Sequence, residues 1–138
     1  MEIRYPAQIE QDAEGNYLVQ FVDMEDTFTY GNTLEEALFN ASEVLTGMLD
    51  TKINHNFEIA EPTPGLPNVH YIAPDAKTQA ALLVKKARGD RSLADLARSL
   101  DTSWPAAQRL ENPNHWPSLR ALDRAAAALG KRLVLSME

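Results

Sequence analysis

Apolar and polar residues alternate over the first part of the chain and then shift to a longer period. Ile3, Tyr5, Ala7 and Ile9 are interleaved with Arg4, Pro6, Gln8 and Glu10, the two-residue period of a half-buried strand. Pro6 cannot donate to a ladder, which assigns that strand an edge position or a bulge. Ala13-Glu14-Gly15-Asn16 supplies turn chemistry, so residues 17–22 form a second strand and close a hairpin. Residues 26–30 (DTFTY), rich in Thr and aromatics, add a third strand. After the Gly31-Asn32 turn the period becomes helical. Thr33 and Glu36 make a capping box, and Leu34, Ala37, Leu38, Ala41, Leu45, Met48 and Leu49 form one apolar face ending near Asp50. That stripe is the core face of a helix packed on the sheet.

Residues 51–74 have a different texture. Pro62, Pro64, Pro67 and Pro74 fall there with Gly65, which predicts an extended linker rather than a helix. Val69-His70-Tyr71-Ile72 is an apolar run able to return to the sheet as a last strand. A domain boundary therefore follows at residue 73, giving domains 1–73 and 74–138. The second domain opens on a helix from Asp75 to about residue 88, with Ala80, Leu83, Val84 and Ala87 inward and Lys85, Lys86 and Arg88 outward. Its centre is residues 92–110, SLADLARSLDTSWPAAQRL. Ser92 caps a short helix whose Leu93, Leu96, Ala97 and Leu100 share a face. Asp101, Thr102 and Ser103 break it, and Ser103 caps a second helix with Pro105 in its first turn. This is the pattern of a helix-turn-helix, in which the second helix enters the major groove. Asp101 stands where the turn usually carries Gly and tolerates the left-handed conformation. A further helix from Pro117 to Leu129, with Leu119, Leu122 and Ala125 inward, is terminated by Gly130. Residues 133–137 read as a final strand.

Charge divides the chain in the same place. The 138 residues carry a net −7, but residues 1–70 hold 13 acidic side chains against Arg4 and Lys52, a net of −11. Residues 71–138 hold 11 basic side chains against 7 acidic, a net of +4. An acidic module joined to a basic one implies two different partners, and the basic one contains the helix-turn-helix. The candidate DNA contacts are Ser103, Trp104, Gln108, Arg109 and Asn114: Gln108 and Arg109 toward base edges, Ser103 and Asn114 toward phosphates. Trp104 either meets a thymine methyl or packs on Trp116. The terminal strand has no sheet within a helical domain, so Leu133, Val134 and Leu135 are assigned to pairing with a second copy across a two-fold axis, giving a homodimer or a higher even-numbered oligomer.

Other chemistry is sparse. There is no cysteine, hence no disulfide framework or thiolate site. His55, His70 and His115 have no ligand spacing, and no phosphate loop or nucleophile motif occurs, so neither a metal nor another cofactor is expected. No apolar run approaches the roughly 18 residues of a membrane span, and the N-terminal residues lack signal-peptide character, so a cytoplasmic protein with no membrane partner is expected. A metal-dependent nuclease would need carboxylates converging on strand ends, and only Asp23, Glu25 and Asp26 lie near one.

The order Tyr17-x-Val19-x-Phe21-x-Asp23, Gly31-x-Thr33-x-x-Glu36-Ala37 and Asn40-Ala41-x-Glu43-x-Leu45 resembles the HicB antitoxins, as does the tail from Pro117-x-Leu119 through Ala128-Leu129-Gly130-Lys131. The central stretch is similar to helix-turn-helix domains of the Xre/Cro type. Many relatives carry a Pro-Gly-containing loop where this chain has Met24-Glu25-Asp26-Thr27-Phe28. The resemblance implies an α+β protein: a reduced ribonuclease-H-like domain without a working active site, a small antiparallel sheet plus a helix, joined by the Pro-rich linker to an all-helical DNA-binding domain ending in a β-strand. It implies a non-enzymatic antitoxin that neutralises HicA, a small basic ribonuclease that cleaves messenger RNA, and represses its own operon at operator DNA. The acidic residues Asp23, Glu25, Asp26, Glu35 and Glu36 are the candidate toxin contacts. A ligand-sensing regulator without a toxin, and a ribonuclease of the RNase H class, are the alternatives.

Overall fold

The structure, a computed structural model, describes residues 1–138, which divide into two compact units, Met1–Asp75 and Ala76–Glu138.

The first unit is a four-stranded sheet and one long helix. Strands β1 (Tyr5–Gln11), β2 (Tyr17–Phe21) and β3 (Phe28–Gly31) form a meander, helix α1 (Leu34–Asn54) follows, and β4 (His70–Ile72) returns beside β1. The order is β3-β2-β1-β4, antiparallel throughout. Tyr5, Ala7, Val19 and Phe21 are buried on one face, as are Ala37, Ala41, Leu45 and Leu49 along one stripe of α1. The four-residue spacing of that stripe keeps it on one side of the helix, and each fully buried Leu or Phe contributes about 1.5–3 kcal/mol. The capping box forms: Thr33 Oγ1 accepts from Glu36 N at 3.1 Å and Glu36 Oε1 accepts from Asn32 N at 3.3 Å. The helix runs four residues past Asp50. Its stop is Asn56, left-handed at φ 53°, where the N–H groups of Asn56 and Phe57 close on the carbonyls of Ile53 and Lys52.

Two sequence expectations are corrected here. Pro6 sits in the central strand β1, in neither an edge strand nor a bulge. Its carbonyl accepts from Val22 N at 3.0 Å, so its nitrogen also points toward β2, just beyond the first ladder pair, Ala7 with Phe21. Toward β4 it faces Tyr71 at a position where no backbone bond is exchanged, so the missing N–H costs one bond at the ladder's end. The Pro-rich segment, in turn, is not a linker. Tyr5 Oη donates to Ala60 O (2.7 Å), Thr63 donates through N (3.0 Å) and Oγ1 (2.6 Å) to the Asp23 carboxylate, and Tyr71 Oη donates to Thr63 O (2.7 Å) while accepting from Leu66 N (3.0 Å). Prolines without amide hydrogens leave few backbone donors, and these side chains take up the carbonyls. The segment is a strap on the sheet. Ser42 Oγ then donates to Ala73 O at 2.7 Å, and Asp75 N to Thr46 Oγ1 at 2.9 Å, holding the end of the unit on α1.

The second unit holds α2 (Ala76–Arg88), α3 (Leu93–Ser99), α4 (Trp104–Arg109) and α5 (Leu119–Ala128). Val84, Leu96, Ala97, Leu100, Ala107, Leu110, Ala125 and Leu129 form its core. Serines cap three helices: Ser92 accepts from Asp95 N, Ser103 from Ala106 N and Ser118 from Ala121 N. Asp101 takes φ 52°, with Asp101 N bonded to Arg98 O and Thr102 N to Ala97 O, the two-bond closure normally made with Gly. Gly130 at φ 71° closes α5 in the same way. Helix α5 begins at Leu119, after the Ser118 cap, and Leu119 is 62% exposed rather than inward. Arg88 is not outward either. It forms a two-pronged ion pair with Glu111 at 2.6 and 3.0 Å, and this bond to the carboxylate raises its pKa above the ordinary value despite the opposing cost of burial.

The expected final strand is also corrected. Residues 131–138 form no regular element: a strand exists through its ladder, and no strand of the single chain is laddered to them.

Candidate functional site

The turn at Asp101 and the Ser103 cap fix the direction of α4, and Ala107 and Leu110 lock its inner side into the core. Its other side is thereby turned to solvent. Trp104, Gln108 and Arg109 are exposed there, with Trp104 and Gln108 one turn apart on the same face. The Ser103 hydroxyl is occupied by Ala106 N at 3.2 Å. Asn114 is exposed in the loop after α4, its N–H donating to Asn112 Oδ1 at 2.9 Å. Trp116 does not pair with Trp104; the Lys77 ammonium lies 5.7 Å from its ring centroid. Several cations of this unit are structural. Arg88 pairs with Glu111, Arg98 with Asp95, Arg124 Nη2 donates to Leu100 O at 3.2 Å, and Arg91 Nη2 to Leu129 O at 3.3 Å, the last two at helix C-termini.

The acidic candidates of the first unit separate into different roles. Both carboxylate oxygens of Asp23 are engaged by Thr63, so this residue holds the strap. Glu36 is in the capping box, and Glu35 is exposed beside it in the first turn of α1. Glu25 and Asp26 are exposed in the loop before β3 and border an open groove with Lys52 and Glu58. The two pairs stand at opposite ends of β3, so the five residues do not converge on one site. The loop itself is pinned by the Gln20 side-chain amide, within 3.0–3.4 Å of the carbonyls of Phe21, Met24, Glu25 and Thr27. No group of three or more His, Asp or Glu is placed to hold a metal ion. His55 stacks on Phe57 (centroids 5.4 Å apart) with Nδ1 2.8 Å from Thr51 O at the end of α1. No helix is long and apolar enough to cross a membrane.

One surface escaped the sequence reading. Leu18, Val22, Phe28 and Tyr30 project from the sheet face opposite α1 and are 47, 39, 63 and 58% exposed. Their signal was the alternation of Phe28 and Tyr30 with Thr29, which fixes the face but not whether anything covers it. The candidate pairing residues of the C-terminal segment are also accessible: Val134 is 77% and Leu135 67% exposed, with Leu133 half-buried.

The chain thus joins a sheet-and-helix unit rich in carboxylates to a helical unit with a solvent-facing short helix. Residues 4–77 match the family model described as the HicB-like antitoxin of bacterial toxin–antitoxin systems. Antitoxin HicB of Escherichia coli strain K12 is 31% identical over 137 residues, covering 98% of this chain and 99% of the relative. Antitoxin HicB 2 of Photorhabdus laumondii is 33% identical over 135 residues, covering 96 and 95%, and Antitoxin HicB 1 of the same organism is 29% identical over 138 residues, covering 99 and 88%. The crystal structure of the N-terminal domain of Burkholderia pseudomallei antitoxin HicB aligns with 53% of the chain at 20% identity and a TM-score of 0.45. The chain belongs to the HicB-like antitoxin family.

Proposed function

We propose that the first unit binds and neutralises a HicA-type ribonuclease toxin, and that the second unit is a helix-turn-helix that binds operator DNA as a homodimer and represses the operon, all in the cytoplasm. The observation that carries this reading is the coincidence of charge with the division of the chain. The unit Met1–Asp75 contains 14 acidic side chains against two basic, and Ala76–Glu138 contains 11 basic against six acidic. A toxin that holds RNA presents a cationic surface, and complementary fields speed and steer its capture. A polyanionic duplex is attracted only to the other unit. The strand order β3-β2-β1-β4 with a helix after β3 supports a reduced ribonuclease-H-type reading of the first unit.

Co-expression with a short basic protein sought in the adjacent reading frames tests the assignment. Growth rescue and co-purification are expected. Residues 1–75 alone should bind the toxin, more weakly as salt rises toward 1 M because exposed charges are screened. A folded 1–75 fragment that fails to bind at low salt would reassign the roles of the two units.

A further inference from the structure

The sheet's outer face has a composition that the fold does not account for. Cross-strand partners share a face, so the register sets Glu10, Leu18 and Tyr30 in one row and Gln8, Gln20 and Phe28 in the next. Val22 continues the face beside Pro6, through the bond of its N–H to the Pro6 carbonyl. On the β4 side this face is spanned by the strap, since outward-facing Tyr71 bonds Thr63 and Leu66. On the β2–β3 side it is open, and there Phe28 and Tyr30 are 63 and 58% exposed beside Leu18. Two aromatic rings and a leucine left adjacent in water are the composition of an interface centre, where such anchors dominate affinity. Polar and acidic groups border the patch: Glu10 in its own row, Gln8 and Gln20 in the next, and exposed Glu25 and Asp26 in the loop that leads through Thr27 into Phe28.

We infer that this open half of the sheet, centred on Phe28 and Tyr30, is where the basic toxin seats, its apolar residues on the two rings and its cations against Glu10, Glu25 and Asp26. The inference rests on the antitoxin reading and names the surface that reading requires. Charge selects the occupant. A second copy docked here about a two-fold axis would set Glu10, Glu25 and Asp26 against themselves on two units that each carry a large negative excess, and like charges across an interface are penalised. A cationic partner turns the same groups into attraction. Seating a ribonuclease by its RNA-holding surface would exclude RNA directly.

The test uses the full-length chain and the co-expressed small basic protein at about 0.15 M salt. Combined Phe28→Ser and Tyr30→Ser is expected to weaken binding about tenfold or more, and Leu18→Arg to do the same through a cation added to the face. The distant Phe39→Ser, on α1, should bind as the unaltered chain does, with circular dichroism unchanged throughout. Undiminished binding by both the double variant and Leu18→Arg overturns the surface and leaves the antitoxin reading standing. So does a change in oligomeric state with toxin affinity preserved, which would make this a face between copies. An unaltered chain that does not bind the small basic protein overturns both.

Discussion

Gly31 and Ala37 approach so closely that a Cβ on the glycine would lie 2.4 Å from the Ala37 nitrogen and 2.7 Å from its Cα. The glycine is needed for room, not for an unusual backbone angle, since the positive-φ glycines are Gly15, Gly65, Gly89 and Gly130. The end of β3 passes directly under the first turn of α1, and the capping box of Thr33 and Glu36 holds that turn in place. This gives the Gly31-x-Thr33-x-x-Glu36-Ala37 spacing a physical meaning: a close crossing, then the cap that orients the helix over it.

Gly31→Ala should therefore destabilise the first unit by about 1–3 kcal/mol, the usual range for overpacking a fitted contact. Because both clashing atoms are backbone, a side-chain rotation cannot relieve it. Urea unfolding of the full-length chain measures the effect. A change below about 0.5 kcal/mol, the scale of a neutral surface substitution, would show that the crossing yields easily.

Alkaline pH should loosen the strap. Burial pushes the Tyr5 phenol up to about 12 from 10.0, with the charges of Glu61 and Asp23 adding to the effect. The folded state thus holds this proton more tightly than the unfolded chain does. The stabilisation is complete below pH 10 and is lost as pH rises from about 10 to about 12. Tyr5→Phe removes the bond to Ala60, costing about 1 kcal/mol at neutral pH, but should fall less steeply above pH 10. Urea midpoints at pH 8 and pH 11 decide it, and parallel losses in the two proteins would exclude Tyr5 as the titrating group.

The periodicity of the chain carried most of the elements and little of how they are joined. The alternation through Ile9 placed β1, and the Leu45 and Leu49 stripe placed α1, because both periods are direct consequences of burying one face. Asp101 was legible as the left-handed residue between α3 and α4 because few residue types accept that conformation. The strap was not legible. Proline content signals an extended chain, but only tertiary contacts decide whether it is free, and those contacts come from Tyr5 and Asp23, some 40–55 residues distant. The roles of charged residues were illegible for the same reason. Asp23 and Arg88 read as surface charges until Thr63 and Glu111 are placed beside them.

For the proposed DNA contact, Arg109 offers the sharpest test. It is exposed at the end of α4 while Arg88, Arg91, Arg98 and Arg124 are engaged elsewhere in the unit. Arg109→Ala should cost about 1–3 kcal/mol of operator affinity and relax preference at a single base pair if its guanidinium reads a base edge. Titration of single-position operator variants separates that from a phosphate contact, which would weaken all sequences alike and lower the salt slope by about 1. Unchanged affinity and preference would remove Arg109 from the interface.

The C-terminal residues set the last expectation. Val134 and Leu135 are exposed apolar side chains on a segment without ladder bonds, and the same segment of a second copy can satisfy both needs at once. Helix α5 does not depend on them. Its closure uses Gly130 N to Ala127 O and Lys131 N to Ala126 O, so a chain ending at Lys131 keeps a finished helix and an intact core. Such a chain should remain folded and bind toxin as before, yet sediment as a monomer. On the proposed repressor reading, losing the dimer would remove the second recognition helix, and with it the simultaneous engagement of half-sites about 34–36 Å apart. Operator affinity should then fall by several orders of magnitude toward the non-specific range of about 10⁻⁴–10⁻⁶ M. Light scattering and operator titration on the shortened chain are the measurements. A protein that stays dimeric and holds its operator at full strength would place the two-fold contact elsewhere in the molecule.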